Sequence, residues 1–206
     1  MANIAKTEYR IYGPEKDLDS LYQDILKGDK EAQRIMEEEE ELYKFKVPLL
    51  INSMGVEIEE EMPDIHGIIT YFSFEDEPDE KLSKMYSPKR IVMEVQSNWS
   101  KLACVEEAIH KKYPELKVYY LEEEYSMCIF ETNDMLGFIF PQKYHIGTED
   151  DSETFNTEQE LIDYLNDYFK EKVCDDFASA IKFIQRKNRD LDFSGISLYI
   201  ISRFKD

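Results

Sequence analysis

The stretch RIVMEVQSNWSKLACVEEAIHKKYPEL, residues 90–116, decides how the fold is read. Its first part alternates: Ile91, Met93 and Val95 fall on one side, Val92 and Glu94 on the other, which is the period of a strand. Ser97 and Asn98 then read as a helix cap. Trp99, Leu102, Val105, Ile109 and Tyr113 follow at helical spacing, and Pro114 stops the run. A further strand over Leu116–Leu121 gives strand, helix, strand, with one apolar helix stripe that needs a sheet to cover it.

The same grammar opens the chain. Thr7, Tyr9 and Ile11 share a face and lead into Gly13-Pro14, after which Leu18, Leu21, Tyr22, Ile25 and Leu26 mark a helix. Gly28 suits the position just past its end, and Asp29 then caps a second helix carrying Ala32, Ile35, Met36 and Leu42, whose solvent side is Glu37–Glu41. Phe45–Asn52 and Ile65–Phe74 read as strands, with Gly55, Pro63, Pro78 and Pro88 as punctuation. The charged Glu122, Glu123 and Glu124 suggest a hairpin or bulged pair joining Leu116–Leu121 to Tyr125–Glu131. Met135–Tyr144 looks like another strand.

Thr157-Glu158-Gln159-Glu160 is a capping box and starts a helix. The apolar stripes that follow belong either to one helix through Lys187 or to two joined near Asp175-Asp176. Ile196–Phe204 reads as a final strand. The expected architecture is a single α+β domain over 1–206: a mainly antiparallel sheet with helices on one face and acidic insertions, 1–144 as the body, and 145–206 as a helical segment and final strand packed on it.

Two segments carry a family resemblance: Glu8-Tyr9-Arg10-Ile11-Tyr12-Gly13 leading into the first helix, and Arg90–Ser100 leading through a helix to Tyr113-Pro114-Glu115-Leu116. Both are similar to the YubB-like ferredoxin-like domain carried by plasmids and phages. Lys101 and Leu102 depart from it, standing where that family usually has prolines. The acidic stretches 37–41 and 57–61 have no counterpart in it. The resemblance implies a ferredoxin-like α+β sheet; it implies no reaction and brings no catalytic residues. "Ferredoxin-like" describes topology only, since an iron-sulfur cluster needs about four Cys ligands and the three cysteines here are scattered.

Composition narrows function. The 45 acidic and 25 basic residues leave a net charge of −20 at pH 7, which repels a polyanion and argues against direct nucleic-acid binding. Hydrophobic residues at 42% suffice for a core. Residues 1–12 mix Lys6, Glu8 and Arg10 into the apolar positions and resemble no signal peptide, and no apolar run approaches the ~20 residues needed to cross a bilayer. Cys104, Cys128 and Cys174 sit among apolar neighbours and read as reduced core residues, so a cytoplasmic location is expected.

Sites for chemistry are sparse. Asp190–Gly195 begins like an EF-hand loop but offers Ile201 where the bidentate Glu should stand, and Asp150, Ser152 and Thr154 lack the glycine. His66, His110 and His145 have no ligand spacing, and no phosphate-cradling glycine motif is present. Tyr119, Tyr120, Tyr125, Phe130 and Trp99 could form a base-stacking platform, but glutamates interleave them and core packing is the better reading. No catalytic residue, cofactor or metal is assigned. The expected function is a non-catalytic acidic protein-interaction module that engages a basic protein through Glu37, Glu38, Glu39, Glu40 and Glu41. The alternatives are a nucleic-acid mimic that inhibits a DNA-binding protein, and an enzyme whose site is assembled from scattered residues.

Overall fold

In the computed structural model the described residues are 4–40, 42–58, 66–98, 100–124, 129–148, 152–189 and 196–203. They form an α+β protein divided into two compact units, one ending at Ile129 and one running from Phe130 to Lys205. The expected division at 144/145 moves upstream. Buried Asp134 accepts the amides of Gly137, Ile139 and Phe140, and Arg203 donates to the carbonyls of Asp134, Phe140 and Gln142, so residues 134–142 are tied to the C-terminal strand region.

The first unit holds β1 (Ile4–Tyr12), α1 (Glu15–Glu39), α2 (Val47–Met54), β2 (Gly67–Asp76), α3 (Glu80–Met85), β3 (Lys89–Asn98), α4 (Ala103–Lys112) and β4 (Lys117–Glu124). Its strands lie in the order β2-β3-β1-β4 and every pairing is antiparallel. Strand alternation puts Ala5, Thr7, Tyr9 and Ile11 on the buried side, where Tyr9 and Ile11 join Leu18, Leu21, Ile25, Val105 and Ile109 in one core. Asp24 on α1 ties α4 to it, accepting from Lys112 Nζ at 2.7 Å and Tyr113 Oη at 2.6 Å. Trp99, expected to anchor this core, lies outside the described residues.

Several sequence expectations are corrected. Gly28 does not end a helix: α1 runs for 25 residues, and Leu18, Leu21, Ile25, Gly28 and Ala32 are its buried stripe. A Cβ at Gly28 would stand 2.8 Å from the buried Phe45 ring and 3.2 Å from the Leu49 carbonyl oxygen, so the glycine serves close approach. Phe45–Asn52 is mostly helix. Pro48 suits its first turn, Gly55 closes it in the left-handed conformation, and α2 packs against both α1 and α4, which is why its apolar run lacks a two-residue period. Ser97 and Asn98 belong to β3 rather than to a cap. Glu122 and Glu124 lie within β4, both buried.

The second unit holds β5 (Ile129–Thr132), β6 (Tyr144–Gly147), β7 (Ser152–Phe155), α5 (Glu158–Tyr168), α6 (Phe177–Lys187), β8 (Ser197–Ile200) and β9 (Ser202–Arg203). β6 is the centre of an antiparallel trio, β7-β6-β8, and β5 pairs with β9 in parallel. The Thr157 capping box forms as read from sequence. The two-helix alternative holds, because Asp176 and Ser179 make a second capping box that starts α6. Met135–Tyr144 is not a strand: the Asp134 carboxylate turns this backbone by taking its amides. The final strand is split at Ile201 into β8 and β9.

The packing at Gly28 makes a discriminating prediction. In an open helix interior Gly→Ala stabilises by about 1 kcal/mol. Here the added methyl meets a fully buried ring and backbone, so Gly28→Ala should destabilise by about 1–3 kcal/mol, as overpacked cores do. Urea denaturation reads the sign directly, and a stabilised variant would contradict the close approach.

Candidate functional site

The residues singled out for partner binding fall at the end of α1. Glu37, Glu38 and Glu39 form its last turn, Glu40 is its C-cap, and all four are exposed; Glu41 lies outside the described residues. Arg34 pairs with Glu31 at 2.6 Å and also with Glu38, which lowers the Glu31 carboxyl through its hydrogen bonds. No basic residue stands in the last turn. The carbonyl end of a helix carries partial negative charge, so these side chains oppose the helix dipole as well as one another. Glu40 also takes φ 52° and ψ 28°, a left-handed conformation usually left to Gly or Asn.

Beyond the ridge the surface becomes apolar and then basic. A groove of about 160 Å³ is lined by Ala32, Ile35, Met36, Leu42 and Leu49 together with Lys44, Lys46 and Pro48. Leu42 is 84% exposed, an unusual position for leucine at the mouth of a groove. The chain then alternates along β2: Phe45 points into the core, its carbonyl accepting from the Ile69 amide at 2.8 Å, while Lys44 and Lys46 point outward. Lys46 bridges antiparallel to Ile68.

The two lysines form the rim of a second, larger cleft of about 490 Å³, whose other walls are Ile4, Pro48, His66, Ile68, Gln96 and Asn98. None of its described lining residues is acidic, in a chain with 45 carboxylates to 25 basic groups. His66, expected within a strand, is exposed just ahead of β2 and faces this cleft. Sequence reasoning missed both features. The visible signal is the alternation Lys44-Phe45-Lys46, of which the expected strand Phe45–Asn52 takes in only Phe45 and Lys46.

The other singled-out residues are dispersed. Tyr120 faces the helix side and is buried, whereas Tyr119 lies on the opposite face and packs edge-on against Tyr12 and Tyr86; Phe130 belongs to the second unit, and Tyr125 and Trp99 lie outside the described residues. Cys104 and Cys174 are buried thiols, and Cys128, Asp150 and the loop 190–195 are outside the described residues. His110 is exposed on α4.

Buried acids and bases make two internal networks in the first unit. Glu77 accepts from Tyr12 Oη at 2.8 Å, Arg90 Nη1 at 3.0 Å and the Asp79 amide at 2.9 Å. Beneath β1, Glu122 accepts the Lys101 amide at 2.8 Å, while the Lys101 ammonium sits 3.0 Å from Glu106 and 3.4 Å from the Tyr120 ring centre. Burial alone would depress Lys101, but Tyr120 and Glu106 outweigh it and raise its pKa. Tyr9, close by, is held well above the usual tyrosine range by burial and then by Glu106. Among the described residues no group of three or more His, Cys, Asp or Glu is arranged to hold a metal ion, and no helix is long and apolar enough to cross a membrane.

His145 is a buried histidine of the second unit. It is 1% exposed, opposite Tyr199 in the β6–β8 register, and stacks on Phe130 at 4.3 Å. Burial pushes its pKa down from 6.5 to about 4. Because the folded value is depressed, the folded state favours neutral imidazole. Its contribution is complete above pH 6.5 and is lost as pH falls from 6.5 through about 4, up to about 3 kcal/mol. His145→Phe keeps an aromatic ring against Phe130, so its thermal midpoint should fall less than the parent's between pH 6.5 and 4. Parallel curves for the two proteins would contradict a buried neutral imidazole.

Scans against protein-family models, curated proteins and solved structures find no match to this chain.

Proposed function

We propose that the protein is a non-catalytic, acidic interaction module of the cytoplasm whose first unit is a ferredoxin-like domain and whose acidic α1 end receives a basic protein. Support for the topology is the strand order β2-β3-β1-β4 with helices α1 and α4 in the crossovers, a split pair of β-α-β units. On that reading α2 is an insertion between α1 and β2, and the YubB-like resemblance of Glu8–Gly13 and Arg90–Leu116 falls on β1 and on β3, α4 and the turn that precedes β4. The buried thiols of Cys104 and Cys174 suit a reducing compartment.

The observation that carries the functional reading is the end of α1. Glu37, Glu38, Glu39 and Glu40 crowd the negative end of the helix dipole, and Glu40 adds a left-handed backbone. Charge arranged against the helix that carries it is accounted for when a cationic surface neutralises it. The apolar side chains of the groove beside it, Ala32, Ile35, Met36 and Leu49 with exposed Leu42, supply the uncharged contact area that an interface core needs.

The test keeps the Arg34–Glu38 pair and replaces Glu37, Glu39 and Glu40 with Gln. The triple variant should be at least as stable as the parent, because it relieves repulsion. In capture from the native host, the parent should retain a basic protein that elutes as salt is raised, and the variant should lose it. Equal capture by parent and variant would remove the α1 end from the interface.

A further inference from the structure

The cleft rimmed by Lys44 and Lys46 has a character opposite to that of the rest of the molecule, and the acidic-module reading makes no use of it. From it we infer that the cleft is a binding site for a small phosphomonoester: a phosphate group carried on a short apolar body.

The charge comes first. Lys44 and Lys46 alternate around buried Phe45 in an extended segment, so both ammonium groups fall on one side, and neither forms an ion pair among the described residues. His66 is the third nitrogen base on the same cleft. The long-range field of a −20 chain opposes anions, but it is screened beyond about 8–10 Å in physiological salt, whereas the lining cations act at contact. Among the described lining residues none is acidic, so none of these competes for the lysines.

Shape and donor type narrow the ligand. The volume of about 490 Å³ lies within the range of small-molecule clefts and is far larger than a bare ion requires. Ile4, Pro48 and Ile68 give it an apolar wall, and the amides of Gln96 and Asn98 add uncharged hydrogen-bonding groups. The cations are lysines, compact point charges with three donors each; the planar Arg fork that pairs bidentately with carboxylate is missing from the described lining. That donor set suits a tetrahedral oxyanion, and the apolar wall suits what the oxyanion is attached to.

The structural frame makes the site rigid. Phe45 is fixed by the close approach of α1 at Gly28 and by the bond from Ile69, so the lysine-bearing segment is held to the edge of β2. A Cβ at Gly67 would lie 2.3 Å from Leu102 and 3.0 Å from Val47, so this cleft-lining position packs too tightly for any side chain.

The experiment titrates phenyl phosphate and, separately, inorganic phosphate into the full chain while amide shifts are followed by NMR. Phenyl phosphate should saturate with one binding constant, moving Gly67, Ser97 and Asn98, and should bind more tightly than inorganic phosphate. Lys44→Gln with Lys46→Gln should weaken it by about tenfold or more. Lys16→Gln with Lys84→Gln, two exposed lysines elsewhere, changes net charge equally and should leave binding unchanged. Both double variants alter exposed side chains, and an unchanged melting curve verifies their folding. No saturation by ~10 mM phenyl phosphate, equal weakening in the two double variants, or inorganic phosphate binding as tightly as phenyl phosphate would each overturn the assignment. Capture of the basic partner is read separately, so failure of this site leaves the reading of the α1 ridge standing, and the reverse.

Discussion

The contact between Gly28 and Phe45 sets the layout of the first unit. Because α1 lacks a side chain at that point, the 42–49 segment can lie against the helix with the Phe45 ring fully buried. Once Phe45 is inside, its carbonyl meets the Ile69 amide, Lys46 bridges to Ile68, and α2 begins one residue later. The apolar groove, the cationic rim and the cleft are therefore consequences of one close approach. A bulkier residue at 28 would push the segment outward and disturb all three surfaces together.

What the sequence made legible follows the strength of local periodicity. β1, β3 and β4 alternate with one face buried by helices; the alternation through Ile91, Met93 and Val95 spans most of β3, whereas Leu116–Leu121 stops three residues short of the end of β4. The Thr157 capping box is a purely local device, and it forms where it was read. The errors lie where tertiary packing overrides a local rule. Gly28 looked like a terminus because glycine usually marks one, yet the helix continues through it. The apolar run Val47–Met54 is buried by helices on more than one side, so it had no polar face to reveal its period. Glu122 and Glu124 looked like a turn because their burial depends on donors such as Lys101, remote in sequence. The acidic ridge was legible as composition, whereas the cleft was not, since it joins β1, the 44–48 segment, the start of β2 and the end of β3.

The molecule thus separates its charges in space. Acidic residues dominate overall, but among the described residues the cleft lining carries Lys44, Lys46 and His66 and no carboxylate, within a few residues of the α1 ridge. Opposite fields this close partly cancel at long range and persist at contact, so they favour recognition by shape and local charge over steering from a distance. A partner covering the ridge and groove would meet the lysine rim as a boundary, because a basic surface that fits the glutamates is repelled by Lys44 and Lys46. The same rim serves as the inner wall for an anion in the cleft. Lys44, Lys46 and Pro48 line both the groove and the cleft, so a ligand on one surface bears directly on the other.

Not all of the glutamates mean the same thing, and the structure sorts them by what they accept. Glu77 takes three donors and fastens the β2–β3 connection to Tyr12 and Arg90. Glu122 and Glu106 hold Lys101 at the start of α4, and Asp24 joins α1 to α4. Removing a partner from such a buried carboxylate leaves an uncompensated charge, which is strongly destabilising, so these acids belong to folding. At the end of α1 the relation reverses. Apart from the Arg34–Glu38 pair, the carboxylates there face solvent, lie at the wrong end of the dipole, and include one residue in a left-handed conformation. Folding gains nothing from that arrangement and would improve without it. An acid that the fold uses and an acid that the fold merely tolerates are thus distinguishable by geometry, and the tolerated ones are those that a partner can claim.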